Sequence, residues 1–404
     1  MKRLPLMKFK PTFKPMLLLI FMSALGVFPL DVILPSIPSI SNHFNAPSSR
    51  TSAGIALFAI IVALSQLVIG PASDKFGRKR IFLYCILFTI AGSAGCTFTK
   101  NEDFFYFFRF IQACGCGGFV LLQAFVQDIF TPTERIKKRI LLTSVSGICI
   151  SLSPVVGALL ETSFGWPGSF YTFAILACLI FFLGKASLPS SCPAPLFTGA
   201  NGDTVQSANR EKQFILNSTI SALAFASHFS FIILSPIIFL ESLELSLYEY
   251  SVAMLFYGLA YVVGGIIASI LIRKISAVRQ VTFGLLIIAT GGSAMGCLHY
   301  MSGMSQLTVI TCAIISTCGV TVVRPACTNM AMEAMPSKPG TAASILNTIT
   351  FIGGGVISFT IGLFASGANW SLPIALFTLA LIGLTIRILG PLKNLASLTE
   401  SSHN

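Results

Sequence analysis

The stretch GPASDKFGRKR, residues 70 to 80, lies between two long apolar runs and decides the fold. Gly70 permits close approach of a neighbouring helix, and Asp74 can cap the next turn or pair with a nearby arginine. Gly77 allows the chain to turn, and Arg78 begins a basic cluster at the membrane surface. Any short loop inside a cell tends to be basic, but this ordered spacing of glycine, aspartate, glycine and arginine is much more specific. The stretch therefore predicts a structured turn between two membrane-spanning helices.

The composition around this turn is that of a membrane protein. The chain has 404 residues, of which 54% are hydrophobic and only 10% are charged, whereas a soluble chain has about 25% charged residues. Runs of about 20 apolar residues cross a bilayer as helices, and barrel strands are shorter and alternate. The sequence therefore predicts an all-α membrane protein with twelve transmembrane helices, near residues 16–37, 52–71, 80–99, 104–127, 140–160, 168–188, 214–240, 250–272, 281–300, 306–328, 341–366 and 370–390.

The net charge of +12 lies mainly in alternate loops. Basic residues concentrate at the N-terminus and in the segments 74–80, 134–139 and 273–279, while the opposite loops hold only Arg50 and Lys100. Positive charge marks the cytoplasmic side of a membrane protein. We therefore expect a bacterial inner-membrane protein with both termini in the cytoplasm. The distribution of charge therefore indicates how the chain is oriented in the membrane. We expect the lipid bilayer as its partner and no nucleic-acid partner.

A long polar stretch divides the twelve predicted helices into six and six. Residues 189–213 are rich in proline, serine, glycine and asparagine, which is typical of a loop. The segments 157–174 and 362–380, which close the two halves, share a glycine, a polar turn and a surface tryptophan before a new apolar run. We therefore predict an N-terminal six-helix bundle (1–188), a cytoplasmic linker (189–213) and a C-terminal six-helix bundle with a short tail (214–404). The halves should be pseudo-symmetric around a central cavity.

The sequence offers no enzymatic machinery. It contains no phosphate-binding loop, no nucleophile beside a base and no cluster with metal-ligand spacing. Its eleven cysteines lie almost all inside predicted spans, where they serve as small packing residues. We therefore expect neither an enzyme nor a cofactor or metal, and the chain carries no ATP-driven motor of its own.

The 70–80 stretch, twelve spans and a central linker together resemble the major facilitator superfamily. The resemblance implies alternating access to a small-molecule substrate, with the proton gradient as energy source. It also implies a gating role for the turn, in which an ion-pair latch closes the cytoplasmic side and substrate is not touched. The residues that match this gating signature are Gly70, Asp74, Gly77 and Arg78. We expect a monomer.

Two further segments resemble proton-coupled antiporters of this superfamily. RFIQACGCGG, residues 109–118, places Arg109 and Gln112 on one helical face, as in the antiporter Arg-x-x-Gln-Gly pattern, although the glycine does not follow directly. GICISLSPVVGALL, residues 147–160, resembles the antiporter helix-bend signature, because proline and glycine bend a helix and let it approach its neighbours. This resemblance favours an exporter. The residues that match the bend signature are Gly147, Pro154 and Gly157.

Asp31 stands alone in an apolar run, where an unpaired charge is expensive. The segment LDVILPSIP, residues 30–38, resembles the D-x-x-L-P-x-x-P pattern of the bicyclomycin and chloramphenicol resistance branch of drug:proton antiporters. Counting about 1.5 Å per residue along straight helices places Asp31 and Arg109 at similar depths. We therefore predict that they pair and couple transport to protons, since protonation of Asp31 would free Arg109.

Arg324 departs from a generic drug pump. It lies in GVTVVRPACTN, residues 319–329, within the tenth apolar run, and the resembled branch usually has an apolar residue there. Arg324 either snorkels to the cytoplasmic surface or faces the cavity and binds an anion. The other cavity candidates are Gln112, His228 and Asn347.

Two functions remain open at this point. The first is a proton-coupled exporter of drugs or small metabolites. The alternative is a specific transporter, in either direction, of an anionic metabolite such as a carboxylate siderophore, with Arg109 and Arg324 as its anchors.

Overall fold

The computed structural model describes residues 13–45, 48–188, 204–362 and 368–389, and every regular element in these ranges is a helix. Eleven helices in the described ranges are long and apolar enough to cross a membrane, and one bent helix makes a twelfth. The predicted all-α membrane fold is confirmed. The predictions for the N-terminal twelve residues, for linker residues 189–203 and for the tail after residue 389 lie outside the described residues.

The first six spans occupy the chain up to Ser187. The first span is broken into short pieces, and the fourth passes through a tight 3₁₀ turn at Gly117–Val120. The helices are Phe13–Leu25, Phe28–Asp31 and Ile37–His43 in the first span, then Ser48–Phe76, Arg78–Phe98, Glu102–Cys116 with Leu121–Ile129, Pro132–Phe164 and Pro167–Ser187.

The last six spans follow the same plan. The seventh span ends in a π-turn at Ile237–Ser242, and the eleventh contains a second one at Ile349–Gly353. The helices are Thr204–Pro236, Leu247–Leu271, Ala277–Ser302, Gln306–Ala334, Pro339–Thr348 with Gly354–Gly362, and Ala368–Leu389.

The seventh span begins inside the predicted linker. Its helix starts at Thr204, whereas the sequence analysis assigned residues up to 213 to a loop. Residues 204–213 contain no glycine or proline and include several good helix formers, so the apolar seventh span can extend backwards as a helix of polar sequence. Hydrophobicity alone marks the apolar part of such a helix and misses its polar extension.

Helix ends are set by local chemistry. Gly77 has a φ of 96°, a conformation that glycine adopts without strain, and it separates the second and third spans by a single residue. Thr131 and Glu134 form a reciprocal capping box at the start of the fifth span, and Ser246 and Glu249 form another at the start of the eighth. The charged turns are therefore ordered parts of the fold.

The two groups of six spans meet at one end of the molecule and also along the middle of the fifth and eighth spans. We call this end the basic end and define it by the turn at 74–80, the helix start at 132–139 and the helix start at 339–341. There, the eleventh span packs on the second and fourth, and the fifth span packs on the eighth and tenth. The segments Phe28–Asp31, Ile37–His43 and Gly354–Gly362 pack mainly on spans of their own group. The structure is therefore closed between the two groups at the basic end.

Candidate functional site

Asp74 joins the two groups of spans at the basic end. One carboxylate oxygen accepts a hydrogen bond from the backbone amide of Gly340 at 2.9 Å, and the other accepts from the amide of Thr341 at 2.7 Å and from its hydroxyl at 2.8 Å. These donors form the first turn of the helix Pro339–Thr348, whose positive dipole end favours a carboxylate. Asp74 therefore caps a helix of the opposite half, and not the next turn of its own loop.

Arg78 holds Asp74 in place from within the first half of the molecule. Its guanidinium is buried, donates to Asp74 at 3.0 Å and forms an ion pair with Asp128 of the fourth span. The pairing of Asp74 with a neighbouring arginine follows the sequence-based interpretation, whereas the contact with Asp128 is known only from the structure. The three charges connect the second, third and fourth spans and hold Asp74 in place to receive the eleventh.

The second and eleventh spans touch along small residues above this contact. A Cβ atom added to Gly70 would overlap the Gly340 carbonyl and Ser344, and a Cβ on Gly340 would overlap Ser73 and the Gly70 carbonyl. Farther along, Asn347 donates to the Gln66 side chain at 2.9 Å. The structure thus places Asn347, predicted to line the cavity, in the contact between these two spans.

A second polar network at the basic end centres on Arg139. This arginine is only 1% exposed and donates to Gln123 at 3.1 Å and to Gln127 at 3.0 Å, both on the fourth span. It also donates to the side-chain oxygen of Asn329 on the tenth span. The side-chain nitrogen of Asn329 donates in turn to Glu333 at 2.8 Å. The sequence analysis treated Arg139 as one charge in a basic loop. The available signal was the pair of glutamines four residues apart in an apolar helix.

In the centre of the first half, Arg109 and Gln112 lie together as predicted. Arg109 donates to the Gln112 side-chain oxygen at 2.6 Å, and Gln112 donates to Ser93 at 2.8 Å. The guanidinium lies over the ring of Phe58 at 4.0 Å and near that of Phe170 at 5.6 Å. One guanidinium nitrogen is buried and has no hydrogen-bond partner among the described residues.

The predicted ion pair between Asp31 and Arg109 is absent from this conformation, as far as the described residues show. Arg109 shares a small pocket with Phe28 and Pro29, whereas Asp31 is half-buried and interacts electrostatically with Tyr261 of the eighth span. The depth count assumed one straight helix, but the first span is broken on both sides of Phe28–Asp31. Those breaks change both the rise and the direction of the chain.

In the centre of the second half, His228 lies between two tyrosines. Its Nδ1 atom is 2.6 Å from the Tyr257 hydroxyl, and its Nε2 atom is 2.8 Å from the Tyr261 hydroxyl. The Tyr257 hydroxyl is also 2.6 Å from the hydroxyl of Thr317. All four side chains are buried. Both ring nitrogens of His228 are therefore occupied by hydroxyl partners, which is the arrangement of a hydrogen-bonded packing histidine.

Arg324 lies beside this His228 cluster. Its guanidinium is 5.0 Å from the centre of the Phe225 ring and interacts electrostatically with Tyr261 and His228. At about 1.5 Å per residue, Arg324 lies about 15 Å before the helix end at Ala334. The side chain therefore lies beside the centre of the second half, about three helical turns from the basic end, and its role in binding an anion stays a prediction.

Arg324 also lacks the partners that buried arginines usually have. Across the described ranges its guanidinium forms neither a hydrogen bond nor an ion pair, and its Nε atom is buried without a partner. The residue as a whole is only half-buried, so part of its surface remains accessible.

The fifth span carries the predicted bend residues. Its helix bends by 48° between Ser153 and Val155, where Pro154 stands. Gly147 lies directly against the ring of Tyr261, and Gly157 lies against the backbone carbonyl of Val32. The bent helix thus contacts both the His228 cluster and the segment next to Asp31.

Comparison with known proteins adds a family and several relatives. The family model described as Major Facilitator Superfamily matches residues 16–358. An uncharacterized MFS-type transporter YdgK of Bacillus subtilis is 25% identical, covering 93% of this chain and 97% of the relative. Multidrug resistance protein MdtL of Shewanella sp. is 22% identical, covering 90% of this chain and 92% of the relative. Chloramphenicol resistance protein CraA of Acinetobacter baumannii is 27% identical over 65% of this chain and 64% of its own length.

Solved structures share the fold at low sequence identity. The proton:xylose symporter XylE superposes with a TM-score of 0.70 at 14% identity, covering 93% of this chain and 94% of the symporter. The transporter FucP in its outward conformation superposes with a TM-score of 0.71, also at 14% identity, covering 93% of this chain and 97% of FucP. These likenesses establish the architecture and carry no information on substrate.

Proposed function

Because the chain belongs to the major facilitator superfamily, we propose that it is a proton-coupled secondary transporter that exports drugs or small metabolites by alternating access. The family match and the membrane-crossing helices support a multi-pass membrane transporter. Relatives named for multidrug and chloramphenicol resistance support the export of drugs. The resemblance of residues 30–38 to drug:proton antiporters supports the same direction and energy source.

The observation that carries alternating access is the polar closure at the basic end. Asp74 receives three hydrogen bonds from Gly340 and Thr341 of the opposite half, and Gly70 lets the two backbones approach. Hydrogen bonds of this kind can be exchanged for water when the halves rock apart, so the closure is reversible. We propose that the basic end faces the cytoplasm and that this conformation is the outward-facing one.

Asp31 is our proposed site for the coupling proton. Its carboxylate is half-buried and makes no ion pair among the residues that the structure describes, so protonation would remove an expensive charge before the halves change position. Arg109 remains a proposed coupling residue, because one of its nitrogens lacks a partner and no carboxylate neutralises it in the described ranges. The protein would work as a monomer in the bacterial inner membrane with the proton gradient as its only energy source.

Transport in proteoliposomes tests this proposal. Wild-type protein should accumulate chloramphenicol when a pH gradient is imposed and should lose this accumulation when the gradient is collapsed. Asp31→Asn should abolish accumulation yet retain exchange of labelled for unlabelled chloramphenicol, because exchange needs no net proton movement. Glu211→Gln removes an exposed carboxylate near the start of the seventh span and is the matched control. Accumulation by Asp31→Asn at the wild-type rate would refute proton coupling through this residue.

A further inference from the structure

We propose that Arg324 and the aromatic rings beside it form a subsite for a flat aromatic anion, such as an aromatic carboxylate. The inference rests on the proposed function, since it names a class of substrate for that transport pathway. The observation behind it is a guanidinium at membrane depth with an aromatic ring beneath it and no counter-ion among the described residues.

Within the described ranges, no acidic side chain forms an ion pair with Arg324. The nearest polar groups belong to the His228 cluster, in which histidine, tyrosine and threonine side chains bind one another. Asp31 interacts electrostatically with Tyr261 but forms no ion pair with Arg324 in the described structure. A cation without a partner is costly at this depth. An anionic ligand would complete the site and recover that cost.

The residues around Arg324 select for aromatic character. Phe225 lies under the guanidinium, Phe229 stacks on Phe225 with ring centres 5.3 Å apart, and Phe351 meets Phe225 edge-on at 4.9 Å. A flat ring can extend this aromatic wall by offset stacking while its carboxylate binds the planar fork of the guanidinium. A small hydrated anion could pair with the guanidinium but could not stack on the aromatic wall. The wall therefore favours an aromatic carboxylate over an inorganic ion.

A series of ligands of equal size tests the inference on the unmodified protein. Binding of 2-naphthoate, 2-naphthamide, 2-naphthylmethylammonium and decahydro-2-naphthoate, the saturated acid with the same two-ring skeleton, is measured by calorimetry in lipid nanodiscs without any proton gradient. We expect 2-naphthoate to bind about ten- to a hundredfold more tightly than its amide, because only the carboxylate pairs with the charge. The ammonium compound and the non-aromatic acid should bind more weakly than 2-naphthoate. Equal affinities for the acid and the amide would overturn the proposal.

Variants assign the effect to these side chains. Arg324→Gln should bring the affinity ratio of acid to amide close to one, and Arg324→Lys should restore only part of it, since lysine lacks the planar fork. Phe225→Leu should reduce the preference for 2-naphthoate over decahydro-2-naphthoate. Arg279→Gln removes an exposed basic residue at the start of the ninth span and should change neither ratio. An acid-to-amide ratio that persists in Arg324→Gln would overturn the assignment.

The lipid composition distinguishes a second source of the same charge. If an anionic lipid headgroup is the occupant, 2-naphthoate will lose its advantage over the amide in phosphatidylglycerol nanodiscs and keep it in phosphatidylcholine ones, and that result would overturn the substrate assignment. The proposed export function is judged separately by chloramphenicol accumulation. Loss of naphthoate selectivity with intact accumulation refutes only the subsite, whereas intact selectivity without proton-driven accumulation refutes only the export function.

Discussion

Buried arginines at the basic end and in the centre of the molecule differ in how they are satisfied. At the basic end, Arg78 contacts two carboxylates and Arg139 contacts three carboxamide oxygens. In the centre, Arg109 donates only to Gln112, and Arg324 rests on a phenylalanine ring without a hydrogen bond in the described structure. Charges with several polar partners hold one conformation, although one nitrogen of Arg78 is also buried without a hydrogen-bond partner in the described structure. Charges with few polar partners leave capacity for a proton-linked change or a ligand.

The same comparison separates two roles within one fold. The contacts of Asp74 and Arg139 cross between the halves, so they must break whenever the basic end opens. The Arg109 contacts stay within the first half and can persist through a rocking motion, and so can the hydrogen bonds of the His228 cluster, although Gly147 of the first half lies against the Tyr261 ring. Substitutions at the basic end should therefore change the balance between conformations, and substitutions in the centre should change binding or local stability.

The largest effect is expected for Gly70→Ala. The added Cβ would overlap the backbone carbonyl of Gly340, which cannot move aside as a flexible side chain can. We expect transport to fall at least about tenfold and the basic end to remain open, because even 1.4 kcal/mol of overlap shifts a two-state balance by a factor of ten. Labelling of a single cysteine at position 73 with a water-soluble maleimide reports the opening.

Gly355→Ala is the matched control for that substitution, since a Cβ at Gly355 meets no atom within 4 Å. Normal transport by both variants would show that the close approach of the second and eleventh spans is not required.

Asp74→Asn should have an intermediate effect. It removes the charge that accepts hydrogen bonds from Gly340, Thr341 and Arg78, and hydrogen bonds to a charged group are worth about 1.5–3 kcal/mol each before allowance for partial exposure. We expect a shift towards the open basic end on the order of tenfold and slower turnover, with ligand affinity unchanged. The cysteine at position 73 is labelled with maleimide in the wild type, in Asp74→Asn and in the control variant Glu211→Gln. Identical labelling of the wild type and Asp74→Asn would indicate that the 74–80 turn is an ordinary basic loop without a gating role.

Tyr257→Phe should have the smallest effect. It removes the hydroxyl shared by His228 and Thr317 and leaves both without this partner, which costs about 1–3 kcal/mol of stability. Thermal unfolding should shift to lower temperature while the labelling of the basic end stays at the wild-type level. Tyr300→Phe changes an 82% exposed tyrosine and serves as control. A change in labelling without a change in unfolding temperature would place the His228 cluster among the gating contacts.

Much of the fold was readable from the sequence because lipid imposes a simple rule on span length and composition. The 70–80 turn was readable as well, since its ordered residues lie close together in the chain. The partners of Asp74 and Arg139 were not, because Gly340 and Asn329 lie in the other half and only the three-dimensional packing brings them near. Arg139 in particular sits in a run of basic residues that is indistinguishable from an exposed loop.

The centre of the molecule was predicted less well than its end. The sequence identified Asp31, Arg109 and Arg324 as unusual charges, and it placed Arg109 and Gln112 on one face. It could not give the direction of Asp31, because the breaks around Phe28–Asp31 depend on how prolines and turns pack in the first span. Side-chain direction at a broken helix is a property of tertiary contacts and not of spacing along the chain.

The central claim is that the two halves must separate at the basic end during transport, and a reversible cross-link there tests it most directly. Gln66 and Asn347 face each other across the two halves, with the Asn347 side-chain amide donating to the Gln66 side-chain oxygen at 2.9 Å. Cysteines at both positions, Gln66→Cys and Asn347→Cys in a cysteine-free background, can be joined by a short bifunctional methanethiosulfonate, which forms one disulfide with each thiol. We predict that cross-linking stops transport, that reduction restores it, and that either single variant keeps transporting after both treatments. Transport by the cross-linked protein at the rate of the reduced protein would contradict the account.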